Sequence, residues 1–361
     1  MDRVDYSALL DVGWDDAWHA AFGPYRRSGA PGRVSRTDRG GLLTVETAEG
    51  TKRARRAPGM RRTADPTTLP TVGDWVVLGE ERIDGAPVVD AVLPRRTAII
   101  RQSPEDRGTP AQVLAANVDT ALIVVAVDDE VNHRRLDRYL ALAWQSGATP
   151  VLVLSKADQC PDVAAVLDEM TLAAIGVPAY PVNALTGEGV DALLPHLQPG
   201  RTGVLLGMSG AGKSTLANRL LGQEVLAARA VRDDGRGRHT TTHRQLLRLP
   251  SGGTLIDTPG LRQLGLWDAG EGIAETFGDI EELAARCRFG DCRHGSEPGC
   301  AVQAAIADGS LPTMRLGSYR KLQREREHQA RKRDPRLQRA HKNRWRQIHK
   351  DLRSHPRYRD D

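Results

Sequence analysis

Hydrophobic and polar residues follow different periods in successive parts of the chain. An apolar stretch over residues 14–22 predicts a helix in an N-terminal extension that packs on its neighbour and ends at Gly29-Ala30-Pro31-Gly32. Residues 33–104 change to short alternating runs, such as 43–47 and 74–78, separated by Gly-containing turns. Because half-buried strands alternate apolar and polar positions, these runs predict a small β-barrel of the OB type.

From about residue 115 apolar runs alternate with helical segments. The apolar runs cover residues 121–127, 150–154, 204–206 and 255–256. The first of these runs are too continuous for a strand with one exposed face, which favours a parallel sheet with helices on both faces. A helical segment that contains three cysteines follows, and then a polar tail rich in Arg, Lys and Gln.

We therefore predict a multidomain chain. Its parts are an N-terminal extension at residues 1–31, an OB-type β-barrel at 32–105, an α/β domain at 106–268, a mainly helical domain at 269–320 and a basic C-terminal tail at 321–361. At 361 residues the chain is long enough for each domain to bury its own core.

The formal net charge of +5 hides an uneven distribution. Residues 315–361 carry 17 Lys and Arg against 6 Asp and Glu, so the rest of the chain is slightly acidic. A basic tail of this kind is typical of a protein that binds a polyanion, because cations placed at phosphates release condensed counterions. A solvated, charged helix is the alternative interpretation.

Targeting signals and disulfides are not indicated by the sequence. The chain has no run of about 18 apolar residues, and its first residues are acidic rather than basic and then apolar. We therefore expect a cytoplasmic protein without a membrane partner. The four cysteines are few for this length, and three of them lie in one short segment, which favours a metal site over disulfides.

One segment has the form of a phosphate-binding loop, G-x-x-x-x-G-K-S. It consists of Gly207, Met208, Ser209, Gly210, Ala211, Gly212, Lys213 and Ser214, and it lies between an apolar strand and a helical segment that begins at Thr215. Glycines let the backbone N–H groups approach phosphate oxygens, and the lysine neutralises charge on the β- and γ-phosphates. We therefore predict that residues 207–215 bind nucleotide phosphates, with the Ser214 hydroxyl as a ligand to Mg²⁺.

A second phosphate element, Asp257-Thr258-Pro259-Gly260, ends a short apolar strand. Here Asp257 is placed to hold the Mg²⁺ shell, and Gly260 can offer its N–H to the γ-phosphate. The residue after it is Leu261, which cannot orient an attacking water as a glutamine does. Hydrolysis without help should therefore be slow.

The segment Gly235-Arg236-Gly237-Arg238-His239-Thr240-Thr241-Thr242-His243 lies between the two phosphate elements. We interpret it as a switch loop in which a threonine such as Thr241 reaches Mg²⁺ and the γ-phosphate. Within it His239 is the candidate for positioning the attacking water. A flexible surface loop is the alternative interpretation.

Base recognition is predicted upstream of both phosphate elements. Ser155-Lys156-Ala157-Asp158 follows a buried strand, and the carboxylate of Asp158 can accept from the guanine N1–H and exocyclic amine, a donor pair that adenine lacks. Ser155 stands where Asn is usual in this motif. After another strand, Asn183-Ala184-Leu185-Thr186-Gly187 fits a loop in which Asn183 and Ala184 contact the base from the other side.

Ordinary GTPases have their base-reading element after the phosphate elements, so this order predicts a circularly permuted P-loop GTPase domain.

The cysteine-containing segment has the spacing Cys287-x4-Cys292-x-His294-x5-Cys300. Three thiolates and one imidazole suit tetrahedral Zn²⁺, and a closed set of four ligands leaves no position for a water nucleophile. We therefore predict one structural zinc ion in the helical domain. Buried free cysteines are the alternative.

The motifs in this order resemble the small ribosomal subunit biogenesis GTPases of the RsgA/YjeQ family over nearly the whole chain. The specific similarities are Val72-Gly73-Asp74-Trp75-Val76, Ala116-Asn117-Val118-Asp119, Gly237-Arg238-His239-Thr240-Thr241-Thr242 and the zinc spacing. The resemblance implies an OB-fold domain, a circularly permuted G domain and a zinc-binding helical domain. It also implies GTP hydrolysis stimulated by the small ribosomal subunit, with a hydrophobic residue matching Leu261 and a catalytic candidate matching His239.

We accordingly expect a monomeric GTPase that binds GTP or GDP with Mg²⁺, the small (30S) ribosomal subunit and its rRNA. Hydrolysis to GDP and phosphate would promote late subunit maturation and release of the factor. One alternative, supported by Leu261, is a non-catalytic RNA-binding assembly module regulated by nucleotide. Another, supported by Ser155, is an ATP-dependent P-loop enzyme.

Overall fold

The computed structural model describes residues 5–62, 66–83, 85–101, 112–127, 132–226, 244–257 and 270–333. The chain forms two compact units, Met1–Gly265 and Leu266–Asp361.

The first unit contains helices and strands in two groups. The first group is α1 (Ser7–Leu10), α2 (Asp16–Phe22), β1 (Gly29–Thr37), β2 (Leu42–Thr47), β3 (Gly50–Arg56), β4 (Trp75–Ile83), β5 (Ala86–Val92), β6 (Ala98–Arg101) and β7 (Gln112–Ala116). The second group is β8 (Thr120–Ala126), α3 (His133–Ser146), β9 (Thr149–Ser155), α4 (Val163–Ala173), β10 (Ala179–Val182), β11 (Thr202–Gly207), α5 (Lys213–Leu221), β12 (Arg244–Arg248) and β13 (Thr254–Asp257).

Strands β1 to β5 close into a barrel. The ring runs β1-β2-β3-β5-β4 and returns to β1, with β3 and β5 paired in parallel and the other neighbours antiparallel. Alternate side chains point inward and form a small core that includes Val34, Leu43, Val45, Val76 and Val89. The OB-type barrel predicted from the alternating runs is confirmed.

Gly29-Ala30-Pro31-Gly32, which the sequence predicts as the end of the extension, lies inside β1. These residues pair antiparallel with β4, and β2 pairs with the strand from Gly32 onward. A Cβ at Gly29 would lie 2.5 Å from the carbonyl oxygen of Leu78, so the close approach of β4 requires glycine there. The glycines and proline of this segment indicate a turn by composition alone. Pairing with β4 instead makes the segment a strand.

The N-terminal extension packs on the barrel, as predicted. Trp14 and Trp18 are buried, and the Trp14 ring lies 4.8 Å from that of Trp75 between centroids. Helix α2 begins where the Asp15 carboxylate accepts from the backbone N–H of Trp18, which satisfies a free donor of the first turn. Since Trp75 is fully buried, it is not available for stacking on an RNA base.

The barrel continues into a second set of strands. Arg36 and Thr37 of β1 pair with β12, which pairs antiparallel with β13. From there the order is β13-β11-β8-β9-β10, and these strands are all parallel. The predicted parallel sheet is confirmed, and in the described part of the chain it forms one continuous eleven-stranded sheet with the barrel.

The continuous apolar runs are the buried strands of this sheet. β11 is buried along its whole length, and β9 is buried from Pro150 onward. Helix α5 covers one face through Leu216 and Leu220, which share a core with Leu122 and Leu255. Burial on both faces explains why these strands lack the alternation of the barrel.

A buried arginine connects the N-terminal extension, the barrel and the sheet. Arg33 of β1 donates to the carbonyl oxygens of Val12, Gly73 and Asn117 and, over 2.8 Å, to Oγ1 of Thr202. Its burial lowers the pKa of Arg33 to about 10, against the opposing charges of nearby carboxylates, so the guanidinium stays charged at neutral pH. One side chain thus fixes four chain segments that are distant in sequence.

Two of the motifs that carry the family resemblance, residues 72–76 and 116–119, meet at this junction. Nδ2 of Asn117 donates to the carbonyl oxygen of Gly73 over 3.0 Å, and its Oδ1 accepts from the backbone N–H of Arg96. Asp74 is fully buried and forms a two-bonded ion pair with Arg95, with both N–O distances at 2.7 Å. Burial raises the pKa of Asp74, and the Arg95 charge opposes that shift. These motif residues hold the barrel to the sheet.

The second unit is helical in its described residues. It contains α6 (Gly270–Thr276), α7 (Gly278–Ala284), α8 (Ala301–Ala307) and α9 (Thr313–Arg333). Buried Arg315 of α9 binds both carboxylate oxygens of Asp279 at 2.6 and 2.9 Å and lies over the ring of Phe277. Because α9 ends at Arg333, residues 321–333 of the predicted tail belong to this helix. None of the described helices is both long enough and apolar enough to cross a membrane.

Candidate nucleotide site and metal centre

The carboxyl ends of β8, β9, β10, β11 and β13 lie at one edge of the sheet because these strands are parallel. Ligands of parallel α/β sheets bind at this edge. The phosphate loop follows β11, the base-reading segment follows β9, its companion loop follows β10, and Asp257 ends β13. The fold thus brings together segments that are up to a hundred residues apart along the chain.

The phosphate loop connects the central strand β11 to α5. Gly207 has a φ of 137°, and a Cβ there would lie 2.3 Å from the carbonyl oxygen of Val124, so no other residue fits. Helix α5 begins at Lys213, and Gly212 at its N-cap has no side chain that could bind the first N–H groups, as suits an anion at this end. Nζ of Lys213 donates to the carbonyl oxygen of Gly207 over 2.8 Å and to that of Met208. The ammonium group therefore lies within the loop, against the carbonyl groups of its first two residues.

Ser214 lies in the first turn of α5, after β11, and Asp257 is the last residue of the neighbouring strand β13. Burial raises the pKa of Asp257, and the charge of Lys213 opposes the shift. A hydroxyl and a carboxylate are oxygen donors of the kind that Mg²⁺ prefers. The donor set therefore suits a nucleotide-bound Mg²⁺.

Ser155, which replaces the usual Asn, is almost fully buried and links two parts of the site. Its Oγ donates to the carbonyl oxygen of Ala211 in the phosphate loop over 2.7 Å. A hydroxyl can therefore supply the link between base-reading strand and phosphate loop at this position. The next residue, Lys156, has a left-handed backbone with a φ of 59° and begins the turn that carries Asp158. Asp158 itself is exposed.

The loop after β10 is held by its own asparagine. Oδ1 of Asn183 accepts from the backbone N–H groups of Leu185 and Thr186 at 2.9 and 3.2 Å. Arg219 of α5 donates to the carbonyl oxygen of Thr186. This geometry gives Asn183 a structural role, because an asparagine side chain stabilises a turn two or three residues ahead. Sequence reasoning missed Arg219, which has no motif of its own.

Three predicted site residues lie outside the described residues. They are His239 and Thr241 of the switch loop and Gly260 of the second phosphate element.

Cys287, Cys292, His294 and Cys300 are brought together in the second unit, with all four ligand atoms within 4.8 Å of one another. Sγ of Cys287 lies 3.8 Å from Sγ of Cys300, and each of these sulfurs lies 3.6 Å from Nδ1 of His294. Tetrahedral Zn²⁺ at ordinary bond lengths places sulfurs about 3.8 Å apart and sulfur and nitrogen about 3.6 Å apart. The four residues form a site for one structural zinc ion.

The surroundings of His294 fix its orientation. His294 has a left-handed backbone with a φ of 60°, and its carbonyl oxygen accepts from Gln303 of α8 and Arg320 of α9. Burial lowers the pKa of His294, which favours the neutral imidazole that binds metal. The backbone of His294 is therefore held by two helices of the unit.

Comparison with known sequences identifies the family. The sequence model described as RsgA GTPase matches residues 92–267. The small ribosomal subunit biogenesis GTPase RsgA of Streptomyces coelicolor is 52% identical over 326 residues, which cover 89% of this chain and 87% of that protein. The chain belongs to the RsgA GTPase family. The RsgA protein of Streptomyces avermitilis is 49% identical and covers 93% of this chain and 90% of its own length.

Two solved structures share the fold of this chain. YjeQ from Thermotoga maritima superposes with a TM-score of 0.61 at 27% identity, covering 82% of this chain and 98% of that chain. YloQ, described as a circularly permuted GTPase, superposes with a TM-score of 0.59 at 24% identity and covers 83% and 96%. The circularly permuted fold inferred from motif order is confirmed.

Proposed function

We propose that this chain hydrolyses GTP to GDP and phosphate during late maturation of the small ribosomal subunit and that hydrolysis promotes its release. The observation that carries the proposal is the convergence of one phosphate loop, one Asp at the end of β13 and one base-reading carboxylate at a single sheet edge. The two relatives named above are small ribosomal subunit biogenesis GTPases.

The residues around the phosphates have different roles. Lys213 neutralises charge on the β- and γ-phosphates, and N–H groups from Gly207 to Thr215 bind their oxygens. Ser214 and Asp257 hold Mg²⁺, which supplies charge neutralisation at the transferred phosphoryl group when it is bound with GTP. Thr241, Gly260 and His239 are proposed to contact the γ-phosphate and to position water.

The residues around the base give specificity for guanine. Asp158 accepts two hydrogen bonds from guanine, and Lys156 lies beside it in the same turn. Ser155 positions this turn through its hydrogen bond to Ala211. Asn183 and Ala184 close the base site from the other side.

The polyanion partner is proposed to be rRNA. Arg53 on β3 has a side chain that is 60% exposed, and Lys321 and Arg324 on α9 are also exposed. Arg and Lys at such positions bind phosphates without reading sequence. We further propose that the protein works as a cytoplasmic monomer.

The proposed function predicts that purified small subunits stimulate GTP hydrolysis. Phosphate release is measured with and without subunits over a salt series from 50 to 200 mM. If docking uses six to ten phosphate contacts, affinity should fall by about 10³–10⁵ over that range. Large subunits serve as the control. A rate that does not respond to small subunits would favour the non-catalytic assembly module instead.

Asp158→Asn should change the nucleotide specificity of the site. The amide oxygen can accept from only one donor of guanine, and the amide NH2 group faces the other donor and leaves it unpaired. GTP binding should therefore weaken by about 10²–10⁴. Xanthosine triphosphate, which has a carbonyl oxygen in place of the exocyclic amine, should bind the variant more tightly than the parent.

The control for this substitution is Asp162→Asn, because Asp162 caps α4 and asparagine caps equally well. Fluorescent nucleotide displacement with GTP, ATP and xanthosine triphosphate provides the measurement. Equal affinity of the parent for ATP and GTP would support the ATP-dependent enzyme and remove Asp158 from the base site.

A further inference from the structure

Arg135 lies in the first turn of α3, beside the phosphate loop. Oδ1 of Asn132 caps the helix by accepting from the backbone N–H of Arg135 over 3.2 Å. Leu136 and Leu140 on the same helix are buried, whereas Arg135 is exposed. The backbone of Arg135 is thus fixed by a capped, 14-residue helix, while its side chain extends toward the edge where nucleotide binds.

The guanidinium of Arg135 contacts the phosphate loop at Met208. Nη1 of Arg135 contacts Sδ of Met208, and Nζ of Lys213 donates to the carbonyl oxygen of the same residue. Two cationic groups from α3 and α5 therefore converge on the second residue of the loop. The lysine of such a loop binds the β- and γ-phosphates, so this is the end of the loop that faces the transferred phosphate.

The contact with sulfur leaves the guanidinium available for a stronger acceptor. A thioether is a weak acceptor, whereas the planar fork of arginine matches two phosphate oxygens. Arg135 is exposed, and Met208 beside it is itself 41% exposed, so the guanidinium is open to solvent. An anion at the loop would outcompete the sulfur for these donors.

We propose that Arg135 contacts the γ-phosphate of GTP and stabilises the charge that develops on its oxygens during hydrolysis. In that step water bonds to the γ-phosphorus, the bond to the β–γ bridging oxygen breaks, GDP takes the electron pair, and the proton of water passes to phosphate. Arginines that act in this way raise kcat by 10³–10⁵ in other GTPases. The inference rests on the proposed GTPase function and accounts for catalysis in a chain that has Leu261 in place of glutamine.

The test compares Arg135→Ala and Arg135→Lys with Arg134→Ala, since Arg134 is the exposed neighbour on the same turn. Single-turnover GTP hydrolysis should fall by about a hundredfold or more in Arg135→Ala, with GDP and GTP affinity changed by less than about threefold. Arg135→Lys keeps the charge but loses the fork, so its rate should be intermediate. Arg134→Ala should match the parent.

A second measurement detects a complex that mimics the transition state, and it requires neither turnover nor ribosomes. Fluorescent GDP with aluminium fluoride mimics the transferred phosphoryl group, and Arg135→Ala should lose this complex while it still binds GDP alone. Parent-like hydrolysis and parent-like complex formation in Arg135→Ala would overturn the proposal. An equal loss of GDP and GTP affinity with unchanged kcat would also overturn it, because Arg135 would then only support the loop. If the parent hydrolyses no GTP with or without subunits, the proposed function fails, and the fluoride complex still tests Arg135.

Discussion

Removal of zinc should unfold the second compact unit. Four ligands spread over residues 287–300 are linked through the metal, and Cys300 also caps α8 by accepting from the backbone N–H of Gln303. Structural zinc sites of this kind contribute about 10–16 kcal/mol of apparent binding free energy at pH 7, more than a small helical unit can replace. Cys300→Ser or chelation should therefore remove the helical signal of residues 270–333.

The measurement combines far-ultraviolet circular dichroism, zinc stoichiometry and limited trypsin digestion of the full chain. Cys160→Ser is the matched control, because Cys160 lies in the first unit and outside the metal cluster. It should retain one zinc per chain and the parent helix content. Full helix content and protease resistance in the zinc-free protein would show that the metal is not structural.

Lys213→Ala should abolish GTP hydrolysis and leave the fold intact. Its ammonium carries positive charge into a site that must hold phosphates, and loss of one such electrostatic group costs about 10²–10³ in rate. In the structure Lys213 donates to two carbonyl groups of its own loop, and its charge opposes the raised pKa of Asp257. Its removal should therefore raise the pKa of Asp257 further, while the buried core of the sheet keeps the fold intact.

Intrinsic phosphate release and thermal unfolding are measured on the same preparation. Lys52→Ala is the control, since Lys52 lies in the barrel and pairs with exposed Glu49. Its rate should equal that of the parent in the absence of subunits. Unchanged hydrolysis in Lys213→Ala would remove residues 207–215 from the proposed phosphate site.

Local patterns predicted the elements and the ligands well because each depends on neighbours in sequence. The alternating runs became the barrel strands, and the continuous runs became the buried parallel strands. The cysteine and histidine spacing predicted the metal cluster, since ligands only a few residues apart can reach one ion. The order of motifs predicted the permutation, because strand ends of a parallel sheet meet at one edge.

Contacts between residues distant in sequence determined the features that local patterns did not predict. The Gly29–Gly32 stretch became a strand because β2 and β4 approach it closely, which composition cannot indicate. The domain boundaries remain predictions, since β1 and β12 join the barrel and the sheet without a break. The contact between Arg135 and Met208 spans 73 positions and has no motif.

The sequence by itself determined the permuted order, the zinc ligands and the residue types at each strand end. The tertiary structure decided that Arg33 and Asn117 hold the barrel to the sheet, that Ser155 supplies the link to the phosphate loop, and that Arg135 contacts Met208 of that loop. The physical reason is that periodicity and spacing act over a few residues, whereas a buried hydrogen bond depends on which distant carbonyl group the fold places opposite the donor.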